Sequence, residues 1–424
     1  MNLLVLSPWF PCPPDNGSRL RAFHLLRQLA ARHRVRVVTG RQTDRQGGDA
    51  PTDDDLRAQL GCESVVSVAW RWHGEEEKGG SARALRALLS PTPRSILETD
   101  NAPLRAAVDA EYARQPDAVL ALELGSAPFV PPANGAAWMP PVVLDQVEMS
   151  GLAQARADAA SARTWLRAGL TAWKSDRYWR QAVRRFAALT TVSEDEACAV
   201  RSVVGEPEGG APPVVVVPNG VDVSSYRRGA SGVAPVAGRL LYNGALGYGP
   251  NRDAVLWFVR EMLPRVAEQA PDAHLVVSGR ADNVDEEARS VLSANQRVHL
   301  TGFLPDLRPA LDAACVCVVP LRAGGGTRLK ILEAFAAGLP VVATTRGAAG
   351  IGAEHGRHLL LADTPDQIVA SVAQLLHQPG EAASLAREAR RLVEKHYDWP
   401  ALAGSLSDLL ERVAATAKKK AKPD

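Results

Sequence analysis

The chain has 424 residues, 46% of them hydrophobic and 23% charged, with a formal net charge of +2. That length predicts two or three cores rather than one, the composition excludes a disordered chain, and the balanced charge argues against nucleic acid as a partner. No run of about 18 apolar residues occurs, so no transmembrane helix is expected, and five scattered Cys argue for reduced thiols and a cytoplasmic setting.

The first apolar run, NLLVLS, reads as a buried strand. The stretch around it, MNLLVLSPWFPCPP, has no basic leader, so no signal peptide is expected. PWFPCPPDNGS follows as a loop, RLRAFHLLRQLAARH has helical periodicity, and VRVVTG is a second strand. Asp53, Asp54 and Asp55 sit in what reads as a solvated polar loop. AVLALE, PVVLDQ, TTVS and VVVVPNGVD supply further strands. The same grammar restarts at RLLYNGALGYGPN, residues 239–251, where a strand meets a Gly-rich loop and then a helix, DAVLWFVREMLPRVAEQ. HLVVSG, RVHLTGF, CVCVVP, PVVATT and HLLLA continue the strands, with helices between them and two more after HLLLA. Cys315 and Cys317 share one face of CVCVVP, and no second ligand pair accompanies them as a zinc site would require.

Alternating strands and helices predict two doubly wound α/β domains. The join falls near 222–238, which is rich in Gly, Ser, Ala and Pro. The expected organisation is an N-terminal domain over 1–225 and a C-terminal domain over 226–400. A helix over 401–417 is expected to pack back on the first domain, followed by a disordered basic tail, 418–424. Ligands of such sheets bind at the carboxyl ends of the strands.

LRAGGGTRLKILEAFAAGLPVVAT, residues 321–344, is the richest stretch. Gly324, Gly325 and Gly326 permit close backbone approach, and the helix that follows can hold an anion on its free N–H groups. Arg328 and Lys330 stand at that helix start, where the dipole favours acids. Two readings are open: the cations add charge around a bound phosphate, or Lys330 and Glu333 form a surface pair of a few tenths of a kcal/mol.

Several stretches together resemble one family: LEAFAAGLPVVAT followed by GAAGI, VSEDE at 192–196, VPNGVD at 217–222, VHLTGFLPDLRPAL, and PPDNGSRLRAFHLLRQLA. The chain resembles the retaining glycosyltransferases of family 4 type, of the group 1 superfamily, over nearly its whole length. The resemblance implies a GT-B fold, with two Rossmann-like domains facing a central cleft, and a nucleoside-diphosphate sugar as donor. It implies a carbohydrate or lipid-linked acceptor on the N-terminal side, and neither a metal nor another cofactor. Glu333 resembles the glutamate that binds the donor ribose. Gly325 stands where the family usually has a second Glu, so Gly325, Gly326 and Thr327 would contact the donor mainly through backbone. The first loop of the C-terminal half, with Gly244, Gly247 and Asn251, lacks the family's Lys. Arg328 and Lys330 would then supply charge to the diphosphate, or backbone alone would hold it. Gly17 and Ser18 match the loop that approaches donor phosphates and acceptor, and Arg21 reads either as an anion contact or as a solvated helix face. His24 reads as packing. No His follows PVVLDQ, so Asp145 and Glu148 are the candidates to take the acceptor proton, with a cap or turn as the other reading of Asp145.

The segment 156–185 places Arg156, Arg163, Arg167 and Lys174 on one side of a helix, away from Trp165 and Trp173. It reads either as a covering helix with a solvated basic back or as a peripheral contact with an anionic membrane. The expected activity is glycosyl transfer in polysaccharide or glycolipid assembly. The alternatives are a nucleotide-sugar epimerase on the same fold and a non-catalytic nucleotide-sugar-binding protein.

Overall fold

The computed structural model describes residues 1–14, 16–42, 51–70, 90–93, 96, 101–131, 139–149, 162–281, 284–324 and 328–420. Chain contacts divide it into two units, Met1–Pro218 with Leu402–Asp424, and Asn219–Ala401.

The first unit holds strands β1 (Asn2–Ser7), β2 (Arg34–Gln42), β3 (Ser64–Trp70), β4 (Ala118–Leu122), β5 (Val142–Asp145), β6 (Ala188–Thr191) and β7 (Val214–Val216). They pair in the order β3-β2-β1-β4-β5-β6-β7, all parallel. Leu3, Leu4, Val5 and Leu6 of β1 are all buried, as a strand covered on both faces requires. Besides a single turn at Glu123–Ser126, its described helices before the C-terminal one are α1 (Gly17–Ala30), α2 (Asp53–Leu60), α3 (Ala102–Tyr112), α4 (Ala162–Ala182) and α5 (Glu194–Val204).

Helix α2 and strand β3 correct the sequence reading. Asp53, Asp54 and Asp55 form the first turn of α2 rather than a loop. Thr52 caps the helix and exchanges bonds with Asp55, while Asp53 pairs with Arg41 at 2.8 Å. Acids in a first turn complement the helix dipole.

The second unit repeats the plan. Strands β8 (Arg239–Asn243), β9 (His274–Ser278), β10 (Val298–Gly302), β11 (Val316–Val319), β12 (Val341–Ala343) and β13 (Leu360–Leu361) pair in the order β10-β9-β8-β11-β12-β13, again parallel. Helices α6 (Gly249–Trp257), α7 (Leu263–Gln269), α8 (Glu286–Ala294), α9 (Arg308–Ala313), α10 (Leu329–Ala336), α11 (Pro365–His377) and α12 (Pro379–His396) cover it. Cys315 and Cys317 carry free thiols, and burial pushes the Cys317 thiol up to about 12.

The last helix, α13 (Trp399–Lys420), leaves the second unit and, from Leu402 onward, belongs to the first. Ser407 lies 2.7 Å from the ring of His33, and Lys418 Nζ pairs with Asp117 at 2.6 Å. Residues 418–420 therefore continue the helix instead of beginning a disordered tail.

Candidate functional site

Strand order reverses direction between β1 and β4 in the first sheet, and between β8 and β11 in the second. Loops on either side of such a switch point diverge and leave a crevice at the strand carboxyl ends. Most of the candidate residues stand beside one of these two points.

In the second unit, Asn243 ends β8 and Glu333 lies on α10, the helix after β11. Ile331, Leu332, Ala334, Phe335 and Ala336 are buried, which leaves Lys330 and Glu333 on the open side of α10. Asn243 Nδ2 donates to Glu333 Oε2 at 2.8 Å, and Tyr226 Oη donates to Oε1 at 3.4 Å. Desolvation pushes the Glu333 carboxyl up to about 7, despite these two donors.

Lys330 turns away from Glu333. Its Nζ donates to Tyr242 Oη and to Asn251 Oδ1, both at 2.8 Å, and stands 4.2 Å from the centre of the Tyr242 ring. Tyr242 Oη also donates to Asn251 Oδ1 at 2.7 Å, and Asn251 Nδ2 donates to the Ala245 carbonyl at 2.9 Å. This small network braces the loop after β8 from beneath. Burial depresses the Lys330 ammonium to about 7. No Lys330–Glu333 ion pair forms among the described residues, so the surface-pair reading fails.

Gly244 is required by close approach. A Cβ there would stand 2.9 Å from Lys330 Nζ and 2.8 Å from Asn251 Nδ2. Gly279 serves the same loop from the other side, with φ +135° and room for a Cβ only 2.5 Å from the Gly244 carbonyl. The Gly244 N–H is spent on the Ser278 carbonyl at 2.7 Å, which removes it as an anion donor. Gly247 lies in the exposed turn that follows.

Arg328 plays a different part from Lys330. It is buried at the N-cap of α10, and its Nη2 donates to the carbonyls of Gly324 at 2.8 Å and Arg346 at 3.2 Å. It braces the ends of neighbouring loops. Burial, with Arg346 nearby, lowers its affinity for the proton. Helix α10 has no side-chain cap and no acid in its first turn. Gly325, Gly326 and Thr327 lie outside the described residues.

A 520 Å³ cavity borders the β8 loop through Leu246 and is lined also by Arg280, Val284 and Phe303. A larger one, 820 Å³, opens at the opposite strand ends among Gly238, Cys315 and Pro340 and contains none of the candidate residues.

In the first unit, Gly17 and Ser18 open α1, where Asn16 caps the helix by accepting from Arg19 N at 3.0 Å. Ser18 Oγ accepts from Gln146 Nε2 at 3.2 Å. Glu123 after β4 and Gln146 after β5 have φ of +58° and +56°. Such non-glycine strain is unusual and concentrates at functional sites. Trp9 Nε1 donates to Glu123 Oε2 at 2.9 Å. Glu148 lies just beyond, exposed at one edge, and its carboxyl is raised by desolvation and by repulsion from Glu196 and Glu123.

Asp145 corrects the sequence reading. It is buried, and Arg21 grips it twice, Nε to Oδ2 at 2.9 Å and Nη2 to Oδ1 at 2.7 Å. Thr190 Oγ1 donates to Oδ1 at 2.5 Å, and Arg21 Nη1 reaches the Pro218 carbonyl at 3.0 Å. A carboxylate so enclosed has no face for an incoming hydroxyl. Arg21 is accordingly neither an anion contact nor a solvated residue. Sequence reading passed over Tyr226, Tyr242, Asn243, Glu123 and Gln146. The two tyrosines and Asn243 gave no local signal, because each acts through a residue far along the chain.

Two families match this chain: one described as "Glycosyl transferases group 1" over residues 237–378, the other as "Glycosyl transferase 4-like domain" over residues 16–220. An uncharacterized 44.6 kDa protein in the cps region of Klebsiella pneumoniae is 26% identical over 164 residues, 38% of this chain. A GDP-mannose-dependent alpha-(1-6)-phosphatidylinositol monomannoside mannosyltransferase of Mycobacterium tuberculosis is 29% identical over 160 residues, 35% of this chain. The match spans 42% of the length of each of these relatives. Anabaena HepE, solved in complex with UDP and glucose, shares the fold with a TM-score of 0.63 at 17% identity, over 97% of this chain and 100% of its own.

Proposed function

The chain belongs to the group 1, family 4 type glycosyltransferases of GT-B fold, and from that premise we propose that it transfers a glycosyl group from a nucleoside-diphosphate sugar to a hydroxyl, with retention. The acceptor is a carbohydrate or lipid-linked glycan under assembly. The observation that carries the reading is the constellation at the second switch point: Glu333 steadied by Asn243 and Tyr226, beside a lysine-braced glycine loop.

The chemistry follows from charge. Glu333 accepts hydrogen bonds from the ribose hydroxyls. As the glycosyl bond breaks, negative charge grows on the leaving diphosphate. Lys330 and the open N-terminus of α10 are fixed in advance and stabilise that charge without reorganising. The leaving phosphate takes the acceptor proton on the same face, which preserves the anomeric configuration. On the N-terminal unit, Glu148 is the carboxyl exposed to an acceptor hydroxyl.

The test is turnover of a donor panel that includes GDP-mannose and UDP-glucose, with and without glycan acceptors. Transfer supports the proposal. Rearrangement of the donor alone would make the protein an epimerase, and binding without turnover would make it a nucleotide-sugar-binding protein. Glu333→Ala should weaken donor binding by at least about tenfold, since a hydrogen bond to a charged group contributes about 1.5–3 kcal/mol. Calorimetry with an unchanged Kd would remove Glu333 from the donor site. Because Lys330 and a helix N-terminus supply the positive charge, transfer is expected to persist in EDTA. Loss restored by manganese or magnesium would overturn that assignment.

A further inference from the structure

Helix α4 departs from the covering-helix reading of its sequence. Its second half is anchored by Trp179, which joins Val183 and Phe186 in the core of the first unit. Lys174, on the side expected to be solvated, is buried, while Arg167 on the same side stays exposed. The side expected to pack is open: Trp165 is 46% exposed, Leu166 64%, Leu170 39% and Trp173 58%. These are four of the ten exposed large hydrophobic side chains among the described residues, and they sit on one helix. At about 100° per residue they fall within an arc of about 140°. Solitary exposed apolar side chains are ordinary, but a contiguous stripe with two tryptophans marks an interaction surface.

The charge beside this stripe is one-sided. Farther along the same face come Arg177 and Arg180, then Arg184 in the turn beyond the helix, all exposed. Arg167 flanks the stripe and is also exposed. Asp176 is the one acid between residues 162 and 185. Apolar side chains from 165 to 173 cover about 12 Å of helix, and the arginines begin where they stop.

We propose that this face of α4 docks the protein on an anionic lipid surface. Trp165, Leu166, Leu170 and Trp173 enter the boundary between headgroups and acyl chains, and Arg177, Arg180 and Arg184 meet the lipid phosphates. Tryptophan suits that boundary because its ring is apolar and its N–H is polar. Charge argues for lipid, since a row of exposed arginines running on from the apolar stripe fits a plane of phosphates. No described helix is long and apolar enough to cross a membrane, so α4 lies on the surface.

The proposal does not depend on the sugar chemistry and is tested without a donor. The full chain is floated with vesicles of phosphatidylcholine, and with vesicles of an equal mixture with phosphatidylglycerol. Binding to the anionic vesicles should be stronger by about tenfold or more and should weaken with salt. Leu166→Ser with Trp173→Ser should lower that binding at least about tenfold while leaving the melting temperature unchanged, because both side chains already face solvent. Arg177→Gln with Arg180→Gln should reduce the preference for anionic vesicles. Failure of the parent chain to float, or parent-like flotation of the Leu166/Trp173 variant, overturns the proposal. So does self-association without lipid that the same variant abolishes, which would make the face a contact between copies.

Discussion

Lys330→Met is expected to lower kcat/KM a hundredfold to a thousandfold, equivalent to about 2.7–4 kcal/mol for one preorganised charge at a developing anion. The melting temperature should change little, or rise. Holding an ammonium at this buried place costs free energy, which is why it is depressed to about 7. The unfolded chain protonates Lys330 near its ordinary value of about 10.4 and the folded chain only near 7, so the unfolded state binds more protons between those values. This residue therefore makes stability rise with pH from about 7 to about 10.4, and the methionine variant should lose that rise. Activity has a second limb, because Glu333 loses its negative charge as pH falls through about 7. The profile of kcat/KM should thus peak near neutrality, and Lys330→Arg should extend its alkaline side. A methionine variant with parent-like kcat/KM would leave the diphosphate to backbone amides.

Arg21→Ala is expected to destabilise the first unit by about 3–5 kcal/mol, because it leaves Asp145 buried without its cation. For a unit of this size the corresponding drop in Tm is roughly 6–20 °C. Asp145→Asn separates structure from catalysis. If the carboxylate serves only to hold Arg21, the variant melts lower while the folded fraction keeps a kcat close to the parent's. If Asp145 instead takes the acceptor proton, kcat collapses at nearly constant Tm. Calorimetry together with kinetics at a temperature below both transitions distinguishes these outcomes.

The two ends of the Arg21–Asp145 pair lie 124 residues apart, and nothing near either residue announces the other. The same holds for Tyr226 and Glu333, 107 residues apart, and for Lys330 with Asn251, 79 apart. Local pattern placed Glu333, Lys330 and the glycine loops at strand carboxyl ends. It left open what their side chains would meet there.

The sequence by itself determined the two parallel α/β units, because short apolar runs separated by amphipathic helices have few other ways to bury their surface. It also placed Gly244 and the start of α10 at strand carboxyl ends, since a glycine loop after a strand and a helix start after a loop are local features. Tertiary structure alone decided the rest. It turned Arg328 inward as a brace and aimed Lys330 beneath the β8 loop. It buried Asp145, and it set Trp165 and Trp173 of α4 outward. Helical periodicity states which residues share a side, but which side is covered depends on what packs there. For α4 the burial of Ser175 and Trp179 fixes the rotation of the helix, and Leu166, Leu170 and Trp173, on the other side, follow it into solvent.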